Sequence, residues 1–288
     1  MQRLVLTIAV AGFLCVPAAI AGPFFFSTGN PDGRMATASR PETPALGKIE
    51  IESADDFILS GFTSITSGTF TGLLTGATLA NIGEVRVEIY RVFPLDSTNP
   101  PDGKVPTRTN SPSDVEFDDR DTASGNLTFS TSILSNSFTA SNSILNGIHP
   151  SPNQTTGGEG PVTGIEVLFT VNFTNPFLLA PDHYFLIPQV EVTTGSGEFY
   201  WLSAPRPIVP PGTPFAPDLQ SWIRNANLDP DWLRIGTDIV GGATPPTFNG
   251  TFSLNGVVPE PTTLALLGVG LAGLGFSRRR KPSEFHRG

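Results

Sequence analysis

The chain has 288 residues, of which 39% are hydrophobic and 15% charged, and its formal net charge is −9. Its 30 glycines and 28 prolines leave little room for long helices. An acidic surface repels nucleic acid and anionic lipid headgroups, so no nucleic-acid partner is expected.

Residues 1–21 have the pattern of a secretory signal peptide. Arg3 supplies the positive charge, an apolar run extends from residue 4 to residue 16, and Ala19 and Ala21 are the small residues that a signal peptidase inspects. Cleavage is therefore expected after Ala21. The single cysteine of the chain lies in this segment, so the mature protein is expected to have neither a disulfide nor a thiolate site.

The mature region is more acidic than the whole chain. Residues 22–261 contain 25 acidic and 11 basic residues, a net charge of −14. Residues 22–53 are rich in turn-forming residues and have few periodic apolar positions, which predicts an extended lead-in, with Phe24–Phe26 docking as an edge strand. Residues 54–257 are predicted to form one folded domain.

Apolar and polar residues alternate along much of this domain, which is the period of a strand with one buried face. The clearest run is 165–173, and further runs lie at 85–93, 127–133, 184–192, 198–202 and 252–254. Strands of this kind pair their apolar faces, which predicts an all-β fold, a two-sheet antiparallel sandwich that is jelly-roll-like.

Three local features complete the prediction of the fold. A short helix is expected near residues 220–227, and the proline-rich stretch 205–217 is expected to be a surface loop. Gly195-Ser196-Gly197 is expected to be a tight hairpin turn.

The densest group of carboxylates consists of Asp114, Glu116, Asp118, Asp119 and Asp121. Oxygen ligands from one loop suit Ca²⁺, although the glycine and the ligand spacing of an EF-hand are missing. The alternative is a solvated acidic loop. Asp229 and Asp231 are a second possible ligand pair, but Asp-Pro is first a turn former. No other cofactor is expected.

No catalytic residue is assigned from the sequence. His149 and His183 are the histidines of the mature domain, and neither a His-Glu-x-x-His nor a Gly-x-Ser-x-Gly motif is present. Glycoside hydrolysis needs two carboxylates in different protonation states, and no spacing selects such a pair. The aromatic side chains of Tyr200, Trp201, Trp222 and Trp232 would stack on sugar rings if exposed, but core positions are favoured.

The last thirty residues contain three features in close succession. Pro259-Glu260-Pro261 stops any preceding strand, an apolar run follows, and the cations at 278–281 resist translocation, which leaves the preceding domain outside. The predicted membrane segment, residues 262–277, would be about 24 Å long as a helix. A usual span crosses roughly 30 Å, so a processed signal is favoured over a permanent anchor. Residues 282–288 would form a cytoplasmic tail.

These features resemble the PEP-CTERM sorting signal of Gram-negative bacteria that make exopolysaccharide. The resemblance covers residues 258–281, including Pro259, Glu260, Pro261 and the cations Arg278, Arg279 and Arg280. It implies that a membrane protease called exosortase recognises the tail and cleaves near Pro-Glu-Pro. The protein would then pass from the inner membrane to the cell surface or extracellular matrix, with exopolysaccharide as a possible contact.

The sequence Ser53-Ala54-Asp55-Asp56-Phe57 and the later run 85–90 are similar to segments of a set of secreted bacterial proteins. Those proteins often end with this tail. Most members have no assigned activity, so this resemblance supports the sandwich and adds no chemistry. In physical terms, Asp55 or Asp56 is expected to turn the chain as it enters a strand.

We therefore expect an exported surface or matrix protein with a structural or polysaccharide-binding role, and not an enzyme. One alternative is a secreted carbohydrate-active hydrolase or lyase, which would show a groove with two carboxylates about 5–10 Å apart. Another is a permanently membrane-anchored extracytoplasmic domain.

Overall fold

The computed structural model describes residues 22–99, 102–149, 155–205 and 218–259. Residues 23–258 form one compact unit, and the described part of it is mostly extended. In chain order, the strands are β1 (Gly22–Ser27), β2 (Ala36–Ala38), β3 (Ile51–Leu59), β4 (Thr63–Thr75), β5 (Ile82–Arg91), β6 (Asp118–Asp121), β7 (Leu127–Ala140), β8 (Ser143–Ile144), β9 (Val162–Leu179), β10 (Asp182–Val192), β11 (Glu198–Ala204), β12 (Trp222–Asn225), β13 (Leu233–Arg234), β14 (Asn249–Gly250) and β15 (Phe252–Val258). Short helical turns lie at Pro44–Leu46, Leu79–Asn81 and Ile235–Val240.

The strands form two sheets. In the larger sheet the long strands β7, β9 and β4 lie side by side in that order. Strand β4 then pairs with β15 along its first part and with β11 along its second part. Strand β1 pairs with β15. Strands β2 and β14 pair with β11, and β8 pairs with β2. The smaller sheet has the order β13–β12–β3–β10–β5–β6, and its strand pairs are antiparallel.

The inner faces of the two sheets meet in the main hydrophobic core. Phe57 of β3 and Phe252 of β15 pack across the two sheets, with ring centroids 6.4 Å apart. Within the larger sheet, Phe70 stacks on Phe169 at 4.8 Å. Alternate residues of β9 are buried here, as the sequence pattern predicts. The all-β arrangement of two antiparallel-rich sheets is confirmed, and the jelly-roll likeness stays a prediction.

Three local features differ from the sequence analysis. The boundary expected between residues 53 and 54 falls inside β3, because residues 22–53 contribute β1, β2 and the start of β3, with β1 at a sheet edge. Residues 222–225 form β12 and not a helix, because they pair antiparallel with β3. The turn at 195–197 does not close a hairpin, since β10 and β11 belong to different sheets and the chain crosses between them.

Several predictions concern residues that the structure does not describe. The signal peptide at 1–21, the loop at 206–217 and the tail from residue 260 onward lie outside the described residues. Within the described part, the structure contains no helix that is both long and apolar enough to span a membrane.

Candidate functional site

Rows of small, uncharged polar side chains cover part of the outer face of the larger sheet. Ser130 of β7 lies opposite Thr170 of β9, which lies opposite Thr69 of β4, and Thr69 lies opposite Ser253 of β15. The adjacent row is aligned in the same way. We call these eight residues the hydroxyl face: Ser130, Thr170, Thr69 and Ser253 in one row, and Thr128, Asn172, Ser67 and Asn255 in the other.

The alternation of the strands explains why these side chains point outward. Phe70 and Phe169 are core residues. Because successive side chains of a strand point to opposite faces of the sheet, the neighbouring Thr69 and Thr170 point away from the core. Every member of the hydroxyl face is exposed or half-buried. Adjacent strands lie about 4.8 Å apart, so the polar groups form a regular array.

The chemistry of this face is that of multiple neutral hydrogen bonds. Each hydroxyl both donates and accepts, and an amide does both through separate atoms. Thr69 Oγ1 and Ser253 Oγ already share a hydrogen bond of 2.7 Å, which shows that the spacing between neighbouring strands suits such contacts. A surface of this kind matches a neutral polyhydroxylated ligand, because no ionic group must lose its hydration when the ligand binds.

The aromatic residues considered for sugar stacking are buried instead. Tyr200 and Trp201 are 7% and 2% exposed, whereas Trp222 and Trp232 are 1% and 0% exposed. Trp201 Nε1 donates to the Thr251 carbonyl at 2.8 Å. The core interpretation of these four residues is therefore confirmed, and their rings offer no open face to a sugar in this structure.

The outer face of the smaller sheet carries a buried charged network. Arg224 of β12 lies opposite Glu52 of β3 and forms two hydrogen bonds with its carboxylate, one of them 3.0 Å long. Tyr90 Oη donates to Glu52 Oε1 at 2.9 Å. The guanidinium of Arg224 also lies 4.3 Å from the ring centroid of Trp232. The network therefore ties β12 and the segment after it to β3 and β5.

A second acidic group surrounds Arg86 on the same face. Its guanidinium lies 2.9 Å from Glu84, 3.4 Å from Glu88 and 3.9 Å from Glu50. Glu88 is 2% exposed, and its Oε2 atom has no hydrogen-bond partner. Burial, followed by the neighbouring carboxylates, raises the pKa of Glu88 well above its ordinary value. Burial also raises the pKa of Glu50, and the neighbouring Glu52 adds to that shift.

Glu116 makes the stability of the domain dependent on pH. Burial and then Asp119 raise its pKa to about 7, with Glu52 and Asp118 adding to the shift and Arg86 opposing it. The native state therefore binds more protons than the unfolded chain between about pH 4.5 and 7. The stabilisation from this group is complete below that range and is lost as the pH rises through it.

We expect the melting temperature of the exported protein to fall between about pH 4.5 and 7, and the Glu116→Gln variant to show a shallower fall. Differential scanning calorimetry across this range measures both slopes. Glu42→Gln, which alters an exposed carboxylate, is the matched control and should keep the wild-type slope. An unchanged slope in Glu116→Gln would contradict this assignment.

The five carboxylates predicted as calcium candidates do not converge on one loop position. Asp114 is buried against Arg108, whose Nη1 also lies 2.6 Å from Asp231 Oδ1. On β6, Asp118 pairs with Arg120, whereas Asp119 and Asp121 lie opposite residues of β5. Among the described residues, no group of three acidic, histidine or cysteine side chains is arranged to hold a metal ion. The second predicted pair is also divided, since Asp229 binds Arg224 and Asp231 binds Arg108.

Asp55 and Asp56 lie inside β3 and do not turn the chain into a strand. Asp56 Oδ2 is 2.6 Å from His183 Nε2, and its Oδ1 accepts the backbone N–H of Leu219 at 3.0 Å. On the other face, Asp55 Oδ1 accepts the hydroxyl of Ser221 at 2.9 Å. The two carboxylates therefore fasten residues 219–221 to β3. His149 is a half-buried loop residue.

One segment near the C-terminal end of the chain matches a known sequence motif. Residues 257–281 match the PEP-CTERM protein-sorting motif. No curated protein and no solved structure matches the chain. The matched segment contains Pro259, Glu260 and Pro261 together with the cations Arg278, Arg279 and Arg280. The chain thus carries a PEP-CTERM sorting motif, which marks it as a protein that is exported and sorted to the cell surface through an exosortase.

Proposed function

We propose that the exported protein is a structural, polysaccharide-binding component of the cell surface or extracellular matrix, without catalytic activity. The sorting motif supports delivery to that place. The observation that carries the binding role is the hydroxyl face, eight neutral polar side chains aligned across four neighbouring strands. Polysaccharide chains in the matrix present hydroxyl groups that can exchange hydrogen bonds with this face.

The properties of the hydroxyl face favour an extended ligand. Each net hydrogen bond contributes only about 0.5–1.5 kcal/mol, so useful affinity requires several contacts along one chain. The paired strands provide such contacts in adjacent rows. The surrounding domain is strongly acidic, and this favours a neutral polymer over a polyanion, which the domain would repel.

We expect the Thr170→Lys variant to lose about tenfold in affinity for neutral insoluble polysaccharide, equivalent to about 1.4 kcal/mol. A lysine at this half-buried central position would displace its neighbours and place a charge within the array. The measurement is co-sedimentation of the exported protein with cellulose powder, with alginate as an anionic comparison. Thr109→Lys, at an exposed position of the loop between β5 and β6, is the matched control.

Two outcomes would overturn this proposal. The first is the absence of binding to neutral polysaccharide, or equal binding by both lysine variants. The second is release of soluble sugar from the probe, lost on Glu88→Gln substitution, which would support the hydrolase or lyase alternative. That alternative has one specific observation in its favour, the raised pKa values of Glu88 and Glu116 beside Arg86.

The proposal also includes the details of export. Cleavage after Ala21, transit through the inner membrane and removal of the tail near Pro261 agree with the sorting motif and with the sequence pattern of the N-terminus. A permanently anchored domain is the alternative in which the tail survives.

A further inference from the structure

Strand β7 lies at the free edge of the larger sheet. It pairs with β9 on one side, and no strand among the described residues pairs with it on the other. Its pairing with β9 is regular from residue 127 to residue 133 and is interrupted at Ile133/Ser135 and again at Ser135/Phe138. A regular edge of seven residues therefore presents alternate N–H and C=O groups that have no ladder partner.

This edge lacks the features that usually prevent strand addition. Proteins protect an edge with charged residues, prolines or bulges. Residues 127–140 contain neither a charged residue nor a proline, although the mature region has a net charge of −14. The irregular pairing begins only after Ile133, so it limits the length of the available edge without closing it.

The sequence of the edge is complementary to itself in the antiparallel direction. If two copies pair around Ser130, Leu127 lies opposite Ile133, Thr128 opposite Ser132, and Phe129 opposite Thr131. Apolar residues then meet apolar residues at the ends, and hydroxyls meet hydroxyls on the outer face. Cross-strand hydroxyl pairs already occur in this sheet, as between Thr139 and Thr163 at 2.7 Å.

We propose that the exported protein pairs with a second copy of itself through residues 127–133 of β7. The side chain of Ile133 is 45% exposed in the single chain, and the added strand of the second copy would lie beside it. Pairing around Ser130 also aligns the two hydroxyl faces, so that one continuous polar surface extends over eight strands. The absence of charge on the edge allows two acidic domains to approach at this place.

The test is sedimentation velocity of the exported protein up to about 1 mM, because an interface smaller than ~1,200 Å² is expected to be weak. We expect a reversible dimer whose fraction rises with salt, since screening reduces the repulsion between the two acidic domains. Ser130→Lys places two ammonium groups opposite each other and should shift the protein to monomer. Asn255→Lys, which adds the same charge to the same face on β15, should leave the dimer unchanged.

A second measurement does not depend on affinity. The mature chain has no cysteine, so Ser130→Cys introduces one thiol for each copy. Opposed Cβ atoms about 4.5–5.5 Å apart are near the distance that a disulfide bridges. Diamide, as the oxidant that takes up the two electrons and two protons, should then cross-link Ser130→Cys but not Asn255→Cys. A monomer at every concentration and salt, or equal cross-linking of both variants, would overturn the proposal. Neither result depends on polysaccharide binding.

Discussion

The Arg224→Ala variant is expected to lose about 3–5 kcal/mol of unfolding free energy. Removal of this guanidinium leaves Glu52 as a buried carboxylate, with Tyr90 as its remaining hydrogen-bond donor in the network. The packing of Arg224 on the Trp232 ring is lost as well. Domains are typically stable by only about 5–15 kcal/mol, so this single change removes a large part of the total.

Calorimetry or urea unfolding of the exported protein measures this loss, which should lower the melting temperature by about 6–20 °C. Lys104→Ala is the control, because Lys104 pairs with Asp102 at 3.4 Å on the surface. A surface pair of this kind contributes at most about 1 kcal/mol. If both variants lost the same small amount of unfolding free energy, the buried network would not stabilise the domain as the structure indicates.

Alanine at Pro259, Glu260 and Pro261 together is expected to abolish processing of the tail. These residues lie at the start of the matched sorting motif, and the resemblance implies that exosortase recognises them. Proline also cannot continue a helix or a central strand. Without them, the apolar run should remain attached and hold the protein in the membrane fraction.

The matched control for this prediction is Pro282→Ala, which changes a proline just outside the matched segment and should be processed normally. Immunoblots of membrane and extracellular fractions compare the two variants with the wild type. Normal release of the triple variant would show that Pro-Glu-Pro is not what the protease recognises.

The strands were predictable because a half-buried strand has a local signature. The alternation in β9 identifies its core residues Val167, Phe169 and Val171 without any knowledge of their partners. The same alternation also places Thr170 and Asn172 on the outer face. It does not show that they align with Thr69 and Ser67, because register between distant strands depends on the whole fold.

The buried network was missed for a related reason. Alternation shows that Glu88 and Tyr90 share the polar face of β5, and a polar face is normally solvated. In the structure the segments around β12 and β13 cover this face, and the partners Glu52 and Arg224 are 172 residues apart in the chain. The region 220–227 was predicted as a helix because the pairing of β12 with β3, which decides its conformation, is equally non-local.

The most direct test of the account is the intact mass of the protein recovered from its own host, compared between membrane and extracellular fractions. We predict an extracellular species that begins at Gly22 and ends near Pro261, without the apolar and basic segments that follow. A membrane-bound species that extends through Gly288, with no shorter form outside, would contradict the account. The chain would then be a single-span anchored domain, and its partners would have to be sought at the membrane.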